Sequence, residues 1–415
     1  MDFDDTPAEA AFRLEARSWL DANAPHHLRA ELSVAPFGDL KLPNRDVIAE
    51  SKAWQKRKQE AGWACLHWPK EYGGRGATPI ERVIWQQEEG IYALLSRLFG
   101  IGHGMCGPTV MQWASEDQRR RYLPKLASGE EIWCQLFSEP AAGSDLAGLR
   151  TRAKQDDATG DWIVNGQKIW TSRAHVADFG ILLTRTDPSV PKHAGLTMFF
   201  LDMRSLGISL RPIKQIDGGS GFNEVFLTDV RIPDAQRLGA VGQGWTVSLT
   251  TLMNERLSIG ANMPTGFAEL LAFCSRFEWN GSKAVDDPAV RSKLATWAVR
   301  TSGLKHTAAR AISALSKGEQ PGPENSIGKL VAGTAMQEIA TYALELQGQL
   351  GALDGPGAED TARFQGMLMR SAGTRIEGGT DEILRNIIAE RVLGLPAEIR
   401  ADKGIPFDEI PAGRS

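Results

Sequence analysis

The feature that most constrains the fold is a change of residue periodicity at two places in the chain. From the first residue to about Gly129, apolar residues recur at helical spacing. Between about Glu130 and Gly239, short alternating or β-branched runs replace them, and Gly-, Asn- and Asp-containing turn signals separate these runs. After Gly244 the helical spacing returns. This order predicts an α+β chain in which a β-rich region lies between two helical regions.

The same pattern gives the expected domain boundaries. We predict an N-terminal helical domain over residues 1–129, a central antiparallel β-domain over 130–239 and a C-terminal helical bundle over 240–396. The polar segment 397–415 contains Pro and Gly, and we expect it to form a tail, or an arm on a partner subunit. No G-x-G-x-x-G follows a predicted strand, so a Rossmann site is not indicated.

Charge and composition exclude several classes of function. A formal net charge of −4 and dispersed basic residues give no support for a nucleic acid or an anionic membrane as a partner. The acidic N-terminus resembles neither a secretory signal nor a transit peptide, and no apolar stretch reaches the roughly 20 residues that span a bilayer. The four cysteines are far apart and the histidines are scattered, which predicts a reducing compartment and no metal site. We therefore expect a cytoplasmic protein.

The most distinctive candidate for ligand binding is the loop Leu136–Asp145, with the sequence LFSEPAAGSD. Its small residues let backbone N–H groups approach a ligand closely, and Ser138 and Ser144 add hydroxyl donors. Such a loop suits a phosphate or the edge of a heteroaromatic ring, although a simple connector would have a similar composition. Further along, Trp170 precedes two hydroxyl residues, and its ring could lie against a flat cofactor.

Five segments, taken together, resemble the acyl-CoA dehydrogenase family. They occur in the family's order and are Tyr72–Gly76 (YGGRG), Glu139–Asp145 (EPAAGSD), Asn165–Ser172 (NGQKIWTS), Phe222–Pro233 (FNEVFLTDVRIP) and Gly378–Ile383 (GGTDEI). The resemblance implies a helical domain, a β-domain and a C-terminal four-helix bundle through which subunits associate. It also implies FAD as the cofactor, an acyl-CoA substrate, an electron-transfer flavoprotein as electron acceptor, and a homo-tetramer or dimer active in lipid β-oxidation.

The resemblance further implies which residues contact the ligands. Residues that match the flavin-contacting loop and strand are Gln135, Phe137, Ser138, Gly143, Ser144, Trp170, Thr171 and Ser172. Residues that match further FAD contacts, partly from a neighbouring subunit, are Glu345, Gly348, Gln349, Thr380 and Glu382. Residues that match positions near the acyl-CoA are Ser144, Asn254, Arg256 and Gly379.

The position of the catalytic base follows from two departures that support each other. Most relatives carry the base in a Glu-Gly-Thr triplet, whereas Gly378 occupies that place here, directly after Glu377. Glu255 precedes Arg256, as the base does in the isovaleryl and long-chain branches. Glu377 could act as the base only if the loop were shifted by one residue relative to that of the relatives. Adjacent side chains of an extended loop point in different directions, so Glu377 would face away from where the usual base projects. We therefore predict that Glu255 removes the α-proton, that the backbone N–H of Gly378 binds the thioester oxygen, and that Glu377 is structural or solvated.

Two other interpretations stay open from the sequence. Arg276 is displaced from the position where relatives reach the FAD pyrophosphate of a neighbouring subunit. Either this subunit contacts FAD differently, or a non-identical partner supplies the arginine, in which case the chain could be a structural subunit of a hetero-oligomer. Glu255 argues against a subunit without turnover. The other possibility is a flavin oxidase of the same fold, but the chain is short for the long oxidase type, and neither base position carries the Asp of the nitroalkane type.

Overall fold

A computed structural model describes residues 5–33, 40–260, 265–316, 322–353, 355, 357–400 and 402–411. The chain divides into two compact units. The first contains the residues up to Arg29, Asn44–Glu255 and the residues from Glu398 onward, and the second contains Ala30–Pro43 and Arg256–Ala397. The order of elements is helices, strands and then helices, as the periodicity predicts.

The first part of the chain is helical. Its helices are α1 (Pro7–Asn23), α2 (Arg29–Ser33), α3 (Val47–Glu60), α4 (Pro79–Glu89), α5 (Ala93–Ser96), α6 (Gly107–Trp113) and α7 (Glu116–Ser128). Capping boxes begin α1, α4 and α7, because the hydroxyls of Thr6, Thr78 and Ser115 each accept from the third residue of the helix. A π-helical turn, Gly102–Cys106, precedes α6.

The middle of the chain forms one eight-stranded sheet. Its strands are β1 (Trp133–Leu136), β2 (Arg152–Gln155), β3 (Trp162–Ser172), β4 (Phe179–Arg185), β5 (Leu196–Asp202), β6 (Ile208–Ile213), β7 (Phe222–Ile232) and β8 (Arg237–Leu238). The strand order is β6-β7-β3-β2-β4-β5-β8, and β1 pairs with β4. The pairing is antiparallel except that β1 and β2 run parallel to β4. The sequence did not reveal this exception, which arises because the chain makes a long crossover between β1 and β4.

Helices return after the sheet. They are α8 (Gly244–Gly260), α9 (Phe267–Cys274), α10 (Pro288–Ser316), α11 (Ser326–Gln347), α12 (Arg363–Thr374) and α13 (Asp381–Ile387), with a short hairpin of β9 (Glu278–Trp279) and β10 (Ser282–Lys283). The second unit has its own apolar core, which includes Phe273, Ile339 and Phe364. Across the described parts of the chain, no helix combines the length and the apolar character needed to span a membrane.

The C-terminal segment packs against the β-domain of its own chain. Pro406 forms an antiparallel bridge with Pro191, in the loop that joins β4 to β5. The backbone N–H of Phe407 donates to the carbonyl oxygen of Val190 at 3.0 Å. Described residues of this segment therefore contact the loop between β4 and β5 of the same chain.

Candidate active site

A buried ion pair holds the loop between β1 and β2. Lys168 Nζ lies 2.8 Å from Glu139 Oε1 and donates to the carbonyl oxygen of Phe137 at 3.0 Å. Glu139 also accepts from the backbone N–H groups of Arg150 (2.6 Å) and Thr151 (2.9 Å). Burial alone would raise the pKa of Glu139, but Lys168 and these hydrogen bonds hold it below its usual range. Glu139 is thus an ionised anchor of the loop.

The same loop is joined to the strand that carries Trp170. The backbone N–H of Ile169 donates to the carbonyl oxygen of Ser138 at 2.9 Å. The register of β3 against β7 shifts between Lys168 and Thr171, and Trp170 there has a φ of 57°, which is uncommon for a residue with a side chain. The bulge leaves the Trp170 side chain 55% exposed. An indole presented in this way can cover the face of a flat ligand.

Glu255 lies on the part of α8 that belongs to the same unit as the β-domain. Gln135 Nε2, on β1, lies 3.4 Å from Glu255 Oε2. Two hydrogen bonds fix this part of α8 to α6, namely Thr109–Thr251 (2.9 Å) and Trp113–Thr250 (2.9 Å). The fold therefore brings Glu255 to a residue that the sequence assigns to the flavin loop. Asn254 donates to the carbonyl oxygen of Thr250, whereas the side chain of Arg256 lies outside the described residues.

In the second unit, a glycine turn follows α12. Gly378 and Gly379 have φ angles of 64° and 93°, which glycine adopts without strain. Lys329 Nζ donates to the carbonyl oxygen of Gly379 at 2.6 Å. Arg375 Nε donates to Asp381 Oδ2 at 2.7 Å, across the base of the turn. Cationic side chains on both sides thus fix the backbone of the turn, and the side chain of Lys329 is only 5% exposed.

The other residues predicted near the ligands divide between the two units. Gly143 and Ser144 are exposed, whereas Phe137 and Thr171 are buried and Ser138 and Ser172 are half-buried. In the second unit, Glu345, Gly348, Gln349 and Glu382 are exposed, and Thr380 accepts from the backbone N–H of Ile383 as the N-cap of α13. Glu377 forms an ion pair with Arg370. Each unit thus contains some of the residues that are predicted to contact FAD or the acyl-CoA.

Models of three domains of one family match consecutive parts of the chain. The acyl-CoA dehydrogenase N-terminal, middle and C-terminal domains match residues 6–130, 134–230 and 242–393. The chain belongs to the acyl-CoA dehydrogenase family. The family and the fold class expected from the sequence are therefore confirmed, and the protein is an oxidoreductase.

Individual relatives of this acyl-CoA dehydrogenase are similar over nearly its full length. It is 35% identical to "Acyl-CoA dehydrogenase IpdE1" from Mycolicibacterium smegmatis, over 94% of this chain and 98% of that protein. It is 26% identical to a chain of the solved "Tcur3481-Tcur3483 steroid ACAD", with a TM-score of 0.79 over 96% of this chain and 100% of that one. It is 28% identical to a chain of the ChsE4-ChsE5 complex from Mycobacterium tuberculosis, with the same TM-score and coverage.

Acyl-CoA dehydrogenases bind FAD, so the expected cofactor is confirmed. The chain's own residues fit such a ligand. In the first unit, Trp170 exposes its ring, and the adjacent Thr171 has a buried hydroxyl without a hydrogen-bond partner among the described residues. In the second unit, Gln347 is 4% exposed and neither atom of its amide finds such a partner, directly beside Gly348 and the predicted contact Gln349. Within the first unit, an unsatisfied buried hydroxyl beside an exposed aromatic ring suits a flat polar ligand.

The sequence missed the residues that hold the candidate site in place. Lys168 lies within the segment Asn165–Ser172 that carries the family resemblance, and it occupies a buried position of β3, where a lysine requires a partner. Lys329 is likewise a lysine at a buried position, on the helix α11. A lysine at a buried position of a strand or helix is therefore the sequence signal that could have identified both Lys168 and Lys329.

Proposed function

We propose that this acyl-CoA dehydrogenase introduces an α,β double bond into an acyl-CoA thioester, with Glu255 as the base that removes the α-proton. One observation carries the proposal. The carboxylate of Glu255 lies beside Gln135, which matches a flavin-contacting position and lies on β1, the strand that leads into the loop Leu136–Asp145. A base must lie within reach of a thioester held next to the cofactor, and this contact supports such a placement.

The remaining roles follow from the chemistry of each group. FAD, when bound, supplies the acceptor for the hydride that leaves the β-carbon. The backbone N–H of Gly378 hydrogen-bonds to the thioester oxygen and stabilises the charge that develops there, a task that requires no side chain. We assign cofactor binding to Gln135, Phe137, Ser138, Gly143, Ser144, Trp170, Thr171, Ser172, Glu345, Gly348, Gln349, Thr380 and Glu382. We assign substrate binding to Ser144, Asn254, Arg256 and Gly379.

Glu377 is the rival base, and its surroundings favour a structural role. Its carboxylate is paired with Arg370, on the last turns of α12. The ion pair ties this carboxylate to α12, as expected for a structural side chain. The contact of Glu255 with Gln135, a residue assigned to the flavin, supports the choice of Glu255.

A matched pair of substitutions tests the base. Glu255→Gln should retain FAD and bind the thioester, but its anaerobic flavin bleaching by a substrate acyl-CoA should slow about 10²–10⁴-fold. Glu377→Gln, the control, should bleach at close to the wild-type rate. Unchanged bleaching in Glu255→Gln would refute the assignment, and loss of bleaching in Glu377→Gln alone would move the base to the loop.

The acyl group is proposed from the solved relative. A protein described as a steroid ACAD shares this fold at 26% identity, which favours a bulky, steroid-derived acyl-CoA over a short straight chain. Anaerobic titration with short, branched, long and steroid-derived acyl-CoAs tests this choice. Bleaching should be fastest with the steroid-derived thioester, and a preference for a short straight-chain thioester would refute it.

We also propose assembly with a second, non-identical chain. Arg276, which is displaced from the position where relatives reach a neighbour's FAD, pairs with Asp360 at 2.9 Å within its own unit. A similar chain occurs in the ChsE4-ChsE5 complex. Protein expressed alone should therefore bind less than one FAD per chain, and full loading of a homo-tetramer or dimer would refute the idea. The electron-transfer flavoprotein as acceptor, the β-oxidation role and the cytoplasmic location stay predictions.

A further inference from the structure

We propose that the C-terminal segment Asp402–Ile410 is a strap that holds the Asp145 end of the loop Leu136–Asp145 in its ligand-binding shape, and that Lys192 is the positioning residue through which it acts. The inference rests on the proposed function, because it takes this loop as part of the acyl-CoA site. It adds a role for a segment that lies far from the loop in the sequence.

The strap is attached through its backbone. Phe407 and Asp408 donate their N–H groups to the carbonyl oxygens of Val190 (3.0 Å) and Pro188 (3.1 Å). Together with the bridge between Pro406 and Pro191, these bonds extend the loop between β4 and β5 by one short strand-like segment. Backbone pairing of this kind fixes the position of the strap without fixing its side chains.

Lys192 connects the strap to the ligand-binding loop. Its Nζ lies 2.8 and 2.9 Å from the two carboxylate oxygens of Asp145 and also contacts the carboxylate of Asp402. The Lys192 side chain is 11% exposed. Burial by itself would lower the pKa of Lys192, but the two carboxylates raise it, so the ammonium stays charged and binds both. Asp145 directly follows Ser144, which is assigned to both the flavin and the CoA.

A second connection runs through Arg185 at the end of β4. Its buried guanidinium donates to the carbonyl oxygens of Ala147 (2.6 Å), Leu149 (3.1 Å) and Lys192 (3.2 Å). The ring of Phe407 covers this guanidinium, with its centroid 3.4 Å from the central carbon. The strap therefore contacts both cations that tie the segment around Asp145 to the loop between β4 and β5.

The tip of the ligand-binding loop depends on these ties because little else packs against it. Gly143, Ser144 and Asp145 are all exposed, and a Cβ added to Gly143 would meet no atom within 4 Å. Packing therefore does not define the position of the tip. The bidentate ion pair to Lys192, whose own side chain is 11% exposed, is therefore the contact that holds Asp145.

The test uses the FAD-loaded protein and free coenzyme A as the probe. Isothermal titration calorimetry would compare wild type with Lys192→Met, which loses both carboxylate contacts, and Asp402→Asn, which loses only the strap contact. We expect the Kd for coenzyme A to rise about 10-fold for the first and about threefold for the second, because the first variant loses both charged contacts and the second loses one. Glu409→Gln, an exposed carboxylate of the same strap, is the control and should match wild type.

A second measurement separates positioning from general loosening of the fold. Amide hydrogen exchange should be faster over residues 143–149 in Lys192→Met and Asp402→Asn, while the exchange of β5 stays unchanged. Asp402→Glu, which keeps the charge, should restore both the exchange and the Kd. Wild-type exchange over 143–149 in both variants, or an unchanged Kd, would overturn the strap. Bleaching by Glu255→Gln would overturn the proposed function and leave the exchange result standing, so the two failures are distinguishable.

Discussion

Lys168→Met tests the buried ion pair under the ligand-binding loop, because methionine keeps most of the side-chain volume and removes the charge. Lys168 is fully buried, so Glu139 would keep its two backbone N–H donors and lose its cation. Breaking a buried pair from one side costs about 3–5 kcal/mol. Glu139 can escape by taking up a proton, which at pH 7 and an ordinary pKa near 4.3 limits the electrostatic part to about 3.7 kcal/mol. We therefore expect a loss of about 3–4 kcal/mol in the free energy of unfolding.

The assay is urea unfolding of the FAD-loaded protein followed by circular dichroism. Lys154→Met removes an exposed lysine from the neighbouring strand β2 and should change the free energy of unfolding by at most about 0.5 kcal/mol. The double variant Glu139→Gln/Lys168→Met leaves no unpaired charge and should be more stable than Lys168→Met. The reasoning is refuted if Lys168→Met is as stable as Lys154→Met, or if the double variant is the least stable of the three.

Three further predictions follow from burial in the first unit. The pKa of Glu139 is lower in the folded than in the unfolded protein. Its contribution to stability should therefore be complete above about pH 4.3 and should be lost as the pH falls further. The stability of Glu139→Gln, measured by acid unfolding, should depend less on pH in that range. Burial raises the pKa of Cys134 to about 12, so iodoacetamide at pH 8 should leave this thiol unmodified until urea is added, and modification in the native protein would contradict its burial. In Gly107→Ala, the new Cβ would lie 2.1 Å from the buried ring of Trp68, and thermal unfolding should show a loss of about 1–3 kcal/mol in the free energy of unfolding. The control Gly303→Ala, whose new Cβ would meet no atom within 4 Å, should not lower this free energy.

Parts of the candidate site could be predicted because they depend on short motifs of consecutive residues. The segments around Glu139 and Trp170 identify the family, and the Gly at 378 with the Glu at 255 selects the candidate base. Thr380 caps α13 through its own side chain, a contact that depends only on residues of that helix. The sequence did not predict that Glu139 would be an anchor with Lys168 as its cation, because a motif states which residues occur and not which atoms meet.

What the sequence by itself determined is the order of helices and strands and the family, and from the family it predicts a short list of functional residues. These depend on local periods of 3.6 and 2 residues and on motifs of a few residues. Only the tertiary structure decided that β1 runs parallel to β4, that Gln135 meets Glu255, and that Lys192 joins Asp145 to the C-terminal strap. Each of these contacts joins residues far apart in the chain, and their pairing is set by how buried surfaces and charges are satisfied together in the folded unit. No local pattern carries that information.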